Sequence, residues 1–248
     1  MLMRIVMSAL LAGALAGTLV FAGHMWKTTP LILQAEVYEN GPAEGAGGHA
    51  HSHAQDQAQK QDQGAAAGHS HGAAAGDDEG WSPGDGLERH AFTLLLDVIT
   101  AVGFAFILIG AMAISGEGVG WRRGIVWGLC GYAAFYVAPA MGLAPELPGM
   151  AYVDVVARQT WWACAAAATA AALALMFFAS GTLWKIAAVI LLVLPHMFGV
   201  PHPDFEAGDV PAELAAQFAV ATLVVTGLFW MALGSLSGYF YDRFGDTA

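Results

Sequence analysis

Six apolar runs, free of charge except for one acid, dominate the sequence and constrain its fold more than any other feature. A bilayer core about 30 Å thick is crossed by roughly 20 residues of α-helix at 1.5 Å per residue. Open strands cannot satisfy their backbone hydrogen bonds in lipid, so the runs are predicted to be helices. The sequence therefore predicts an all-α, polytopic transmembrane helix bundle. The runs are approximately residues 5–25, 91–114, 124–143, 160–178, 186–200 and 214–240.

The composition agrees with a chain whose main solvent is lipid. Hydrophobic residues make up 57% of it and charged residues 12%, whereas about a quarter of a typical soluble domain is charged. The motifs of phosphate loops, zinc proteases and dinucleotide-binding turns do not occur in it. We therefore expect no enzyme activity and no tightly bound cofactor, and we expect no nucleic-acid partner. Cys130 and Cys164 each lie inside an apolar run, where a small buried residue is the ordinary interpretation.

The first run has two interpretations. Arg4, the apolar stretch after it and the small residues near 20–22 fit a cleavable signal peptide, and cleavage would leave five helices. However, Gly13 and Gly17 form a GxxxG pair, which suits close packing against another helix. The pair favours retention of the first helix, and hence six helices.

Basic residues in the short connecting segments set the predicted orientation. If six helices alternate, five of these residues lie on one side, which is therefore predicted to be cytoplasmic together with both termini. Most acids then lie in the outer segments, and an acidic outer face concentrates cations. The five basic residues are Arg4, Arg122, Arg123, Lys185 and Arg243. The predicted division is a first helix over 1–25, an outer loop over 26–90, a five-helix membrane domain over 91–240 and a short tail over 241–248.

The long outer loop carries a histidine-rich tract. Residues 41–86 are rich in Gly, Ala, Gln and Asp and poor in large apolar side chains, which predicts disorder. Imidazoles two residues apart in an extended chain project to the same side, and imidazole binds cobalt, nickel, copper and zinc ions. The alternative is a hydrophilic spacer in which histidine is incidental. The candidate ligands are His49, His51, His53, His69 and His71.

Asp97 is an acid well inside an apolar run. An ionised carboxylate costs about 2.5–3.5 kcal/mol at the centre of a membrane helix, so Asp97 is expected to face the protein and to have a partner, an ion or a proton. His90 precedes it by about two helical turns and lies on nearly the same face. We predict that the two side chains form a path inward from the outer surface. The alternative is that Asp97 bonds to a neighbouring helix and His90 merely sits at the interface.

Pro195 interrupts the fifth run beside two potential metal ligands, His196 and Met197, and His202 and Asp204 follow soon after. Interrupted membrane helices often carry the binding sites of transporters, although proline kinks also serve packing alone. We treat these four side chains as candidate ligands.

Two acids are candidates for the outer mouth of such a path. Glu146 lies in the second outer segment, and Glu213 lies at the head of the last helix, where an acid also stabilises a helix N-terminus by itself. Trp161 and Trp162 beside Arg158 are typical of an aromatic belt at the membrane interface.

Several strings in the sequence carry a family resemblance. Residues 144–149 read APELPG, 158–162 read RQTWW, 210–215 read VPAELA and 229–230 read FW, with Pro-His at 195–196. Over essentially the whole membrane portion the chain resembles the CbtA family of cobalt transporter subunits. The resemblance implies a bacterial inner-membrane protein that works with a small CbtB-type membrane subunit in cobalt uptake linked to cobalamin synthesis. The long histidine tract exceeds what the resemblance leads us to expect and is interpreted as added metal capture.

Three functions compete at this point. The first is a subunit that gathers Co²⁺ on the outer face and passes it through the bundle. The second is an accessory or sensor protein that binds cobalt, nickel or zinc at the membrane without conducting it. The third, a redox protein with His90 and His196 as haem ligands, is disfavoured because paired histidines on two long helices are missing. The expected partners are lipid, a CbtB-type subunit and further copies of the chain, and the residue types do not select among Co²⁺, Ni²⁺ and Zn²⁺.

Overall fold

Helices account for every regular element in the described part of the chain. The computed structural model describes residues 1–39, 83–84, 86–116, 118–151, 153–202 and 210–245. The prediction of an all-helical membrane bundle is confirmed, while the histidine-rich tract lies outside the described residues. The elements are α1 (Leu2–Gly23), π1 (His24–Thr28), α2 (Thr29–Glu39), α3 (Leu87–Ser115), α4 (Trp121–Tyr132), π2 (Ala133–Val137), α5 (Ala138–Ala140), α6 (Val155–Phe178), α7 (Thr182–Met197) and α8 (Ala212–Arg243).

The two π segments join their neighbours without a break, so these elements form six continuous helices, as predicted. Four of the six are long and apolar enough to cross a membrane by length and composition. α7 is apolar but shorter. The α4–π2–α5 helix begins at Trp121 and carries Arg122 and Arg123 in its first turn. The four long spans are Leu2–Tyr38, Leu87–Ser115, Val155–Phe178 and Ala212–Arg243.

The first helix is longer than its apolar run. It was expected to end near residue 25, with the outer loop beginning at 26, but it continues through π1 and α2 to Glu39. Pro30 lacks an N–H, and in a regular α-helix its ring would meet the carbonyl four residues earlier. π1 ends two residues before Pro30, and its wider turn accommodates the proline without ending the helix.

Small residues bring α1 close to α3. A Cβ added to Gly13 would lie 2.5 Å from the Cα of Val102, and one added to Gly17 would lie 2.6 Å from the Cα of Val98. Only glycine allows the two backbones to approach so closely. The prediction that the GxxxG pair packs against another helix is confirmed.

A second glycine seam joins α4 to α8. The backbone of α4 at Gly124 lies against Gly234 and Gly238 of α8, and Gly128 lies against Trp230 and Gly234. A side chain at these positions would overlap backbone atoms of the opposite helix. The α1–α3 and α4–α8 pairs meet in one core of buried apolar side chains that includes Ile109, Phe229 and Leu233.

Both termini of the described chain lie at the same end of the bundle. Arg4 donates a hydrogen bond from Nε to the carbonyl of Tyr241 at 2.5 Å, and its guanidinium lies 3.8 Å from the centre of the Tyr241 ring. A smaller apolar cluster forms at the other end, where Ala35 and Leu147 pack with Leu214 and Phe218. This arrangement agrees with an even number of crossings.

Helices α6 and α7 pack against each other as a hairpin. The hairpin is tied to π2 and α5 by two indole groups: Trp161 Nε1 donates to the carbonyl of Pro139 and Trp162 Nε1 to that of Phe135, both at 3.1 Å. Trp161 is only 7% exposed. The expectation that Trp161 belongs to a membrane-interface belt is therefore wrong, because its indole serves the neighbouring helix.

Candidate metal-ion site

A histidine from the first helix supplies the partner that Asp97 requires. His24 Nδ1 lies 3.1 Å from Asp97 Oδ2. The Asp97 side chain is 16% exposed and the His24 side chain 29%. His24 is the first residue of π1, and Asp97 lies on the facing helix α3. This contact with a neighbouring helix is the one that the alternative interpretation of Asp97 gave, and its partner, an imidazole, is a group that can itself bind a metal.

A cleft of about 260 Å³ opens beside this pair. Three helices form it: the first helix, α3 and α8. Asp97 is in contact with His24 at its wall, whereas the predicted His90 lines the cleft directly and is exposed. The polar side chains that line the cleft are His24, Thr28, Arg89, His90, Thr93 and Thr222.

The three threonines of the cleft share one hydrogen-bond arrangement. Each hydroxyl donates to a backbone carbonyl one helical turn earlier: Thr28 to His24 at 3.2 Å, Thr93 to Arg89 at 2.8 Å and Thr222 to Phe218 at 2.8 Å. A hydroxyl has one proton and two acceptor lone pairs. Because the protons are engaged, the threonines can offer the cleft only acceptor oxygen.

Charge in and around the cleft is negative in sum. Arg89 Nη2 lies 2.6 Å from Glu36 Oε1, so this cation is compensated by a carboxylate on α2. The remaining formal charge beside the cleft is that of Asp97. With the Arg89 guanidinium paired to Glu36, the carboxylate of Asp97 behind the lining favours a cation over an anion.

A second cleft, of about 390 Å³, lies between α2 and the beginning of α8 and contains Glu213. Its other polar side chains are Gln34, Tyr38 and Gln217. Glu213 is exposed and lies in the first turn of α8, where its charge stabilises the helix terminus. Its predicted role at an outer mouth stays a prediction.

The remaining predicted residues are placed apart from the His24–Asp97 pair. His196 packs its ring edge against Trp161, with ring centres 5.4 Å apart. Met197 is 77% exposed and His202 is exposed. Glu146 forms an ion pair with Arg158. Roles for these side chains in metal binding stay predictions.

Six of the predicted ligands lie outside the described residues: His49, His51, His53, His69, His71 and Asp204. In the part of the chain that is described, no group of three or more His, Cys, Asp and Glu side chains could hold a metal ion. The candidate site is therefore a two-residue pair beside a cleft whose lining combines apolar side chains with threonine hydroxyls.

His24 and the threonines were missed by sequence reasoning. His24 stands at the end of the first apolar run, six residues before Pro30. Asp97 needed a polar partner at similar depth, and His24 is the metal-binding side chain nearest the outer end of the adjoining run. That requirement could have identified it. The threonines carry no comparable signal, since their role depends on which helices meet.

A protein-family model matches almost the whole chain. The family model described as "Probable cobalt transporter subunit (CbtA)" matches residues 2–242, a range that extends from the start of α1 almost to the end of α8. No curated protein and no solved structure is similar enough to match the chain.

Proposed function

Because the chain belongs to the CbtA family of probable cobalt transporter subunits, we propose that it captures Co²⁺ on the outer face of the bacterial inner membrane and passes it inward through the cleft at His24. Nickel and zinc ions are the competing substrates, since a histidine and carboxylate site binds both at least as well as cobalt.

The observation that carries this proposal is the position of Asp97. It is a largely buried acid inside a span, hydrogen-bonded to a histidine of another helix. Charged groups inside membrane helices are costly and typically mark ion pathways. The cleft beside the pair supplies the approach, with the exposed His90 lining it.

The outer face has a collecting role in this proposal. The five histidines of the tract and the acids of the outer segments raise the local concentration of divalent ions. His196, Met197, His202 and Asp204 are secondary candidates for ligands along the path, and Glu146 and Glu213 for its mouth. Both termini are cytoplasmic, as the basic residues Arg4, Arg122 and Arg243 predict. A small CbtB-type subunit and further copies of the chain are the proposed protein partners.

The test is accumulation of radioactive cobalt in cells that express the chain with and without the small partner subunit, with nickel and zinc as competitors. Asp97→Asn should lower uptake about tenfold or more, as expected when a group that orients a metal ligand is neutralised. The matched control is Asp242→Asn, the same change at an exposed acid at the opposite end of the bundle, which should leave uptake unchanged. Replacing the five tract histidines by glutamine should weaken uptake mainly at low cobalt concentration.

A second function, metal binding without conduction, is favoured by one specific observation. Below the pair, α1 and α3 are in backbone contact at Gly13 and Gly17, and this contact leaves no space between them for an ion. An accessory or sensor protein would keep this contact closed. If cells expressing the chain with its partner accumulate no extra cobalt while the purified protein binds it, the accessory function replaces the permease.

A further inference from the structure

We propose that His24 binds a partly hydrated divalent transition-metal ion through Nε2, that Asp97 is the positioning residue that orients its ring, and that the cleft threonines accept hydrogen bonds from the ion's water ligands. This inference rests on the proposed function and identifies the binding site within it.

The hydrogen bond between His24 and Asp97 determines which ring nitrogen is available. With Nδ1 donating its proton to the Asp97 carboxylate at 3.1 Å, the imidazole carries its free lone pair on Nε2. Metal-binding histidines almost always donate their other ring N–H to a carboxylate or a carbonyl, which fixes the tautomer and raises the basicity of the ligand. His24 lines the cleft, so the available lone pair belongs to a residue of the cleft wall.

The threonines supply the hydrogen-bond acceptors that a hydrated ion needs. Water bound to a cation is a hydrogen-bond donor and needs acceptors. Thr28, Thr93 and Thr222 each have their hydroxyl proton engaged by a backbone carbonyl, so each presents acceptor lone pairs. A volume of about 260 Å³ holds an ion with several waters, because one water occupies about 30 Å³ in the liquid.

Charge and ligand type select the class of ion. Asp97 is in contact with His24, and the Arg89 guanidinium of the lining is paired with Glu36, so the two carboxylates and one guanidinium beside the cleft favour a cation over an anion. Imidazole nitrogen favours transition-metal ions over magnesium or calcium, which prefer oxygen. A site with one histidine ligand and a retained hydration shell is weak, which suits an ion that must enter and leave.

The competing explanation is purely structural: the pair joins the first helix to α3 and binds nothing. The two explanations differ in what the variants change. A structural pair affects the free energy of unfolding, whereas a metal site affects affinity and metal preference in a protein that remains folded.

The experiment uses the purified full-length chain with its five tract histidines replaced by glutamine, titrated with Co²⁺ and followed by visible absorption and calorimetry. His24→Ala should weaken binding about 100-fold or more, and Asp97→Asn about 10- to 100-fold, the range measured for groups that orient metal ligands. Thr28→Val and Thr222→Val should each cost about tenfold, at the lower end of that range. All variants are first checked for an unchanged thermal unfolding midpoint.

Thr18→Val is the matched control for the threonines. Thr18 lies on α1, is exposed and also donates to the carbonyl one turn earlier, at 2.8 Å to Ala14, but it is not part of the cleft. Its replacement should leave cobalt affinity unchanged. His24→Cys provides a second readout, because a thiolate prefers softer ions: it should shift preference from Co²⁺ towards Cd²⁺, which a structural role would not do.

Unchanged cobalt affinity in folded His24→Ala overturns the inference. If that result comes with intact cobalt uptake that still depends on Asp97, the transport function stands and only this site is wrong. If binding depends on His24 as expected but cells accumulate no cobalt, the site stands and the permease function is wrong.

Discussion

The two π segments of this chain solve the same local problem and meet different neighbours. Each ends two residues before a proline, π1 before Pro30 and π2 before Pro139. π1 borders the cleft and begins with His24, whereas the indoles of Trp162 and Trp161 donate to carbonyls of π2 and of the adjoining α5. At both prolines the helix widens into a π turn, and the adjacent helix determines whether a tryptophan indole or a cleft lies beside that turn.

The hydrogen bond from Trp162 to the Phe135 carbonyl of π2 has a clear physical cause. Pro139 has no N–H to donate to the carbonyl of Phe135, four residues earlier. In lipid, a backbone carbonyl without a donor costs several kcal/mol. Trp162 Nε1 supplies the missing donor at 3.1 Å. At π1, by contrast, the carbonyl of His24 accepts from the Thr28 hydroxyl and from the Thr29 N–H, so these hydrogen bonds come from within the first helix.

The largest expected effect on stability comes from replacing Trp161, the buried one of the two tryptophans that donate to π2 and α5. Trp161→Ala should lower the free energy of unfolding by about 3–5 kcal/mol, because it deletes a buried aromatic side chain and leaves a cavity. Trp161→Phe keeps most of the volume and should cost clearly less. SDS titration of the purified protein measures both. A small loss for Trp161→Ala would mean that α6 is not anchored through this side chain.

A smaller effect isolates the hydrogen bond itself. Trp162→Phe should cost about 1–3 kcal/mol, the penalty for leaving a carbonyl without a donor in a membrane helix. In a Pro139→Ala background, residue 139 regains an N–H that can serve the Phe135 carbonyl. The cost of Trp162→Phe should then fall by at least half, as a double-mutant cycle measures. Equal costs in the two backgrounds would show that the indole does not compensate for the proline.

Apolar runs were sufficient to predict six helices, because the bilayer imposes a local requirement on length and polarity that a single segment reveals by itself. The same reasoning found Asp97, since a lone acid in such a run is conspicuous. It placed the end of the first helix too early, because it followed the apolar run, which ends near residue 25, whereas the helix continues through π1 and α2 to Glu39.

Features that depend on pairs of helices could not be predicted in the same way. The glycines of α4 are visible in the sequence, but their contact with Gly234 and Gly238 requires knowing that α4 meets α8. His24 needed the antiparallel neighbour that carries Asp97. Trp161 and Trp162 look alike beside Arg158, and only the position of π2 shows that Trp161 is a buried donor.

The smallest expected change in stability comes from replacing Pro30, the proline that follows π1. Pro30→Ala restores an N–H and removes the steric reason for π1, so the segment should relax towards an α-helix and rotate His24 relative to Asp97. Because a proline substitution of this kind changes stability by only about 1 kcal/mol, the unfolding midpoint should remain close to that of the wild type. Cobalt affinity should nevertheless fall about tenfold, as when the orientation of a metal ligand is lost.

Pro139→Ala is the matched control for this change, since it removes the same constraint from π2. It should leave cobalt affinity unchanged, because Trp162 occupies the Phe135 carbonyl of π2 and because no side chain of π2 lines the cleft. A loss of affinity in Pro139→Ala equal to that in Pro30→Ala would mean that the two turns act together on one ion path. The different surroundings of π1 and π2 would then concern packing alone and would not indicate which turn borders a metal site.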